Sequence, residues 1–160
     1  AILSRARELG VTTLDTAESY GTAHKLIGAF HKKTDDFSFK INTKFPSNFQ
    51  LDNIESTLHQ YLEDLKVENI ETIMFHSFSS YIANKHKLEE LLVFKKNKIV
   101  NYIGASIYTN DEFEQLISCS ESILSILQSG RNHCIHVVFN NRATTNQSND
   151  TNTAYSEQAN

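Results

Sequence analysis

At 160 residues, 39% hydrophobic and 21% charged, the chain has ordinary globular composition and enough length to bury one core. A formal net charge of -4 supplies no broad basic field, which argues against nucleic acid or an anionic membrane surface as a partner. Cys119 and Cys134 form neither a CxxC pair nor a secreted disulfide framework, and the opening "AILSRARELG" carries arginines where a signal peptide needs apolar residues, so a soluble, cytoplasmic protein is expected.

In chain order, "AILSRARELG" places Ile2, Leu3, Ala6 and Leu9 at helical spacing and stops on Gly10, a favourable residue for the left-handed position after a helix. "VTTLD" then reads as a strand ending at Asp15, and "TAHKLIGAFHKK" as a helix. "FSFKINTK" alternates as a strand should, and "LDNIESTLHQYLEDLK" repeats Leu51, Ile54, Leu58, Leu62 and Leu65 along one helical face. "ETIMFH" is expected as a buried strand and "NKHKLEELLVFKKNK" as a helix. "IVNYIGASI" reads as a strand, and "NDEFEQLISC" as a helix with Asn110 as its cap. "SILSILQ" is expected to begin another strand, although either "SILQ" or "HVVFN" could fill the sixth strand position. Residues 141–160 contain no Leu, Ile, Val, Phe or Met, so a disordered tail is expected after a domain spanning residues 1–140.

Strands that alternate with helices imply a parallel sheet, because parallel neighbours need a crossover of a dozen or so residues. Two closures suit this rhythm: a flavodoxin-like open sheet, or part of a (β/α)₈ barrel, whose full form typically takes about 250 residues. The five glycines make neither a GxGxxG turn nor a P-loop, so the phosphate sites of the open sheet are not visible. "HCIH" groups His133, Cys134 and His136, but no second cluster at finger-like spacing follows, and no metal site is expected.

Three strands end on chemistry-bearing residues: Asp15 with Tyr20 in the loop beyond it, Lys44, and His76. In a parallel barrel such ends gather on one rim, where distant sequence positions meet. Singly, each residue has an ordinary structural reading: Asp15 as a turn acceptor, Tyr20 as a half-buried aromatic, Lys44 as a surface lysine, His76 as a polar strand cap. Their order is informative. With the segments "GVTTLDTAESYG", "INTK", "LEDLKVENIETIMFHS" and "NKIVNYIGASIYTNDEFEQL" in sequence, the chain resembles the aldo-keto reductases over roughly residues 1–128.

That resemblance implies a partial (β/α)₈ barrel of about five to six βα units. It implies Asp15, Tyr20, Lys44 and His76 as the catalytic tetrad, with Ser106 and Gln128 as cofactor contacts. The residue types suit reduction of an aldehyde or ketone: hydride transfer from NADPH or NADH leaves negative charge on the carbonyl oxygen, which needs a positioned proton donor and no metal. A lysine ammonium beside a phenol favours loss of the phenolic proton, an acid holds that ammonium in place, and an imidazole donates a hydrogen bond to the same oxygen. The pattern also departs from the family. Ile107 stands where "GxSN" carries an asparagine, and the late strands and loops that grip the cofactor's phosphates and adenosine have no counterpart before the polar tail. Weak cofactor binding is therefore expected, along with self-association through exposed barrel edges. A catalytically inactive fragment or paralogue is the competing expectation.

Overall fold

In a computed structural model, which describes residues 2–34, 36–46, 53–127 and 135–139, helices and strands alternate from one end to the other. The first half comprises α1 (Ile2–Glu8), β1 (Thr13–Asp15), α2 (Ala23–His31), β2 (Lys40–Lys44), α3 (Ile54–Leu65) and β3 (Ile70–Phe75). The second comprises α4 (Phe78–Asn84), a 3₁₀ turn (Lys85–Lys87), α5 (Leu88–Lys96), β4 (Val100–Ile107), α6 (Asn110–Leu127) and β5 (Ile135–Phe139). The strands form one sheet in the order β1-β2-β3-β4-β5, every neighbouring pair parallel. A doubly wound open sheet reverses its strand order at a switch point. Here the order never reverses, so the sheet is a stretch of barrel wall.

Register assigns the two faces. Thr43, Ile73, Ile103 and Ile135 align across β2 to β5, and beside them Lys44, Met74 and Gly104 align one residue further on. Ile41, Ile73, Phe75, Ile103, Ala105 and Ile107 pack with Ile54, Leu58, Leu65, Leu91 and Leu116 of the helices in one buried cluster. The core thus lies between sheet and helices, and alternation turns Lys44 and Met74 to the other, concave face. Burying Leu58 and Leu65 of α3 contributes about 1.5–3 kcal/mol each.

Helix ends follow local chemistry. Asn53 accepts from the Ser56 N–H at the start of α3, and Ser77 from the Ser80 N–H at the start of α4. Gly10, at φ +80, closes α1 as expected, with its N–H donating to Arg7 O and that of Val11 to Ala6 O. Lys66 and Lys98 occupy the same left-handed position after α3 and α5, at φ 55 and 59. A Cβ there costs roughly 1–2 kcal/mol. Lys98→Gly is accordingly expected to raise stability by about 1 kcal/mol, seen as a higher urea midpoint; an unchanged or lower midpoint would show that the turn carries no such strain.

Several expectations need correction. "SILSIL" lies within α6 rather than opening a strand, because its apolar residues fit helical spacing as well as a short strand, and the strand beside β4 is Ile135–Phe139. Asn110 is the first residue of α6, not its cap: Thr109 Oγ1 accepts from the Glu112 N–H (3.2 Å) while Glu112 Oε2 accepts from the N–H groups of Thr109 (3.3 Å) and Tyr108 (2.7 Å). β2 begins at Lys40, so residues 37–39 precede it, and helix α4 was not legible in "SFSSYIAN". Of the apolar residues in and just after α1, Ile2 and Leu9 are exposed and only Leu3 and Ala6 pack against the core. Among the described residues no helix is long and apolar enough to cross a membrane. The tail expected at residues 141–160 lies outside the described residues, as do Leu51, Gln128, His133 and Cys134.

Candidate active site

Lys44 is the last residue of β2, and its side chain is only 3% exposed. Its ammonium donates to Asp15 Oδ1 at 2.6 Å and to the Thr16 carbonyl at 3.1 Å, both at the end of neighbouring β1. Burying an ammonium costs several kcal/mol, which a single ion pair offsets only in part, so such a lysine adds little stability and is better explained by chemistry. Asp15 is half-exposed: one side faces the ammonium and the other faces solvent.

Tyr20 stands above this pair, its ring centroid 5.9 Å from Lys44 Nζ. Two successive turns carry it there: the Tyr20 N–H donates to Ala17 O, and the Tyr20 carbonyl accepts from the Ala23 N–H. Gly21, at φ +62, permits the left-handed step between them. Tyr20 is 55% exposed, so it sits at the rim instead of filling the core. His76 follows the last residue of β3 at the same end of the sheet, and its Nδ1 is buried without a hydrogen-bond partner among the described residues. Thr16 Oγ1 and Asn42 Oδ1, near Lys44 on β1's exit and on β2, are likewise buried without a described partner. Ser106 is buried near the end of β4, two residues beyond Gly104 and hence on the concave face with Lys44. Ile107 turns the other way, into the core cluster. The rim therefore brings together Asp15, Tyr20 and Lys44 in direct proximity, with His76 and Ser106 on the strand ends alongside; Gln128 lies outside the described residues.

The model of the Aldo/keto reductase family matches residues 1–147. The chain belongs to this family. No curated protein matches it in sequence. Among solved structures, it resembles an aldo-keto reductase from Bacillus halodurans in its holo form (17% identity, TM-score 0.61, 86% of this chain and 55% of that one). It also resembles the aldose reductase from Schistosoma japonicum (14%, 0.59, 86% and 50%) and an aldo/keto reductase from Brucella melitensis (21%, 0.56, 72% and 46%). At these identities the likeness is one of fold, and the chain spans about half the length of each structure.

In this aldo/keto reductase chain the helix side of the site holds a pair that sequence reasoning missed. His24 of α2 is buried, its Nε2 lies 2.8 Å from Thr43 Oγ1, and its ring meets Tyr61 of α3 edge-on at 4.9 Å. Burial lowers the His24 pKa below its ordinary 6.5, opposed in part by Asp64, and burial with Glu18 nearby raises that of Tyr61. The sign for stability follows. An unfolded chain takes up this proton near pH 6.5 while the folded one resists it, so the contribution is complete above that pH and lost as pH falls below it. Thermal midpoints are expected to drop between pH 7 and 5, and to drop less in His24→Phe; equal slopes would show that His24 does not couple to folding. An open cleft of about 810 Å³ lies at the opposite, amino-terminal ends of the strands around His31, Lys40, Lys66 and Glu71. In such barrels the chemistry gathers at the carboxyl ends.

Proposed function

We propose that this chain carries the catalytic rim of an NAD(P)H-dependent carbonyl reductase, acting on a small aldehyde or ketone. The observation that supports this most is the nearly dehydrated Lys44 ammonium, clamped by Asp15 at 2.6 Å beneath the exposed ring of Tyr20. Unpartnered buried atoms on His76 and Thr16 fit a polar ligand at that rim. Ser106 would face the nicotinamide amide from β4, and the bound cofactor would supply a hydride to the carbonyl carbon. Tyr20 gives its phenolic proton to the carbonyl oxygen as negative charge develops there, forming the alcohol O–H. The resulting phenolate is stabilised by Lys44, held charged and oriented by Asp15, until it recovers a proton from solvent. His76 donates a hydrogen bond to the same oxygen and orients the substrate. Positioning and charge thus come from three successive strand ends.

Fluorescence titration of NADPH against the chain, followed by turnover of a reactive aromatic aldehyde, tests the reading. Tyr20 is exposed, so Tyr20→Phe is expected to leave the urea midpoint within about 0.5 kcal/mol of wild type. Turnover is expected to fall by about 10²–10⁴-fold, the usual worth of general acid catalysis. Turnover that survives Tyr20→Phe would remove the phenol from the mechanism. Absence of both binding and turnover in the wild-type chain would favour an inactive member of the family instead.

A further inference from the structure

The pair behind β2 lies on the far side of the strand from the site, yet it touches the residue next to Lys44. Thr43 is fully buried, and its hydroxyl faces the helices, where most neighbours are apolar. Its described partner there is His24. On the opposite face, Lys44 makes the contacts to Asp15 and Thr16 that define the rim. We infer that His24 is a positioning residue for Lys44: it holds the Thr43 hydroxyl on the helix side of β2, and through the strand backbone this fixes where the adjoining ammonium sits.

The device responds to protonation. A neutral imidazole can accept from or donate to the Thr43 hydroxyl, whereas the imidazolium only donates. Protonation therefore removes one of the two hydrogen-bond arrangements and places a second positive charge behind the strand that carries Lys44. The groups around His24 are Tyr61 and Asp64 from α3, Thr43 from β2, and Glu18 in the loop after β1, which acts on Tyr61. Asp64 favours the charged ring and burial disfavours it more strongly, so the neutral form prevails near neutrality. The inference depends on the carbonyl-reductase reading only for what Lys44 is used for, because its position can be measured without cofactor or substrate.

The experiment is NMR of the full chain with ¹³Cε- and ¹⁵Nζ-labelled lysine. His24→Phe and Thr43→Val are each expected to displace the Lys44 signal, their combination to displace it no further, and His24→Gln, which keeps a polar group, to move it back toward wild type. Leu116→Ala, a core change on α6, serves as a control for lost stability and is expected to leave that signal in place. In wild type, the Lys44 signal is expected to follow the His24 ring titration below pH 6.5, a readout that stands even if His24→Phe does not fold. A Lys44 signal that stays put while His24 titrates, or that moves as far in Leu116→Ala, overturns the inference. Where turnover is measurable, His24→Phe is expected to lower kcat roughly ten- to a hundredfold with KM unmoved. Failed turnover with an intact NMR coupling would count against the reaction and leave the positioning role standing.

Discussion

Gly28→Ala is expected to cost about 3 kcal/mol or more, among the largest stability effects of any single substitution in this chain. A Cβ at Gly28 would stand 2.0 Å from the Asp64 carbonyl oxygen and 3.0 Å from the carbonyl carbons of Asp64 and Leu65. All three are backbone atoms of the last turn of α3, which cannot rotate aside as a side chain would. Nor can α3 easily withdraw. Ile54, Leu58 and Leu65 are fully buried, and His31 ties the two helices by donating from Nδ1 to Leu65 O at 2.8 Å while its Nε2 accepts from the Phe39 N–H at 3.1 Å. The sign is informative because alanine is the better helix former by about 1 kcal/mol, so in open space the same change would stabilise. Gly21→Ala provides the contrast: no atom lies within 4 Å of its Cβ, and the expected cost is only the roughly 1–2 kcal/mol of a left-handed backbone. Urea denaturation of both variants reads the difference directly. A higher midpoint for Gly28→Ala would show that α2 and α3 do not touch there.

Gly28 also marks where the sequence stopped being legible. A glycine inside a helical pattern signals a close approach without naming what approaches, and Asp64 is thirty-six residues away. Strands β1 to β4 and helices α3 and α5 could be read because their hydrophobic period agreed with their final environment, as Ile54, Leu58 and Leu65 show. "SILSIL" misled because four apolar residues in six satisfy both periods, so only chain context decides between them. The rim was legible for a different reason. Asp15, Lys44 and His76 terminate apolar runs, and parallel topology turns such ends into neighbours whatever their separation in sequence. His24 and Thr43 gave no comparable signal, since a histidine in a helix and a threonine in a strand become a buried pair only once α2 lies against β2.

Lys44→Met is expected to separate stability from chemistry most sharply. A buried lysine held for structure would leave, on removal, an unpaired charge or a void, at a cost of several kcal/mol. Here the geometry forecasts otherwise. Asp15 is half-exposed, so its carboxylate returns to water when the ammonium is gone, and methionine matches the lysine stem in length beside the apolar, fully buried Met74. The Thr16 carbonyl loses one donor, worth about 1 kcal/mol, while the burial penalty of the ammonium disappears. The urea midpoint is therefore expected to stay within about 1 kcal/mol of wild type or to rise. Under the proposed mechanism carbonyl reduction, by contrast, is expected to fall by about 10²–10⁴-fold, because Tyr20 would lose the cation that stabilises its phenolate. A stability loss of about 3–5 kcal/mol with activity declining only in step with the folded fraction would assign Lys44 to the fold. Near-native stability with activity lost would mean that β2 carries a desolvated charge for the reaction at its end.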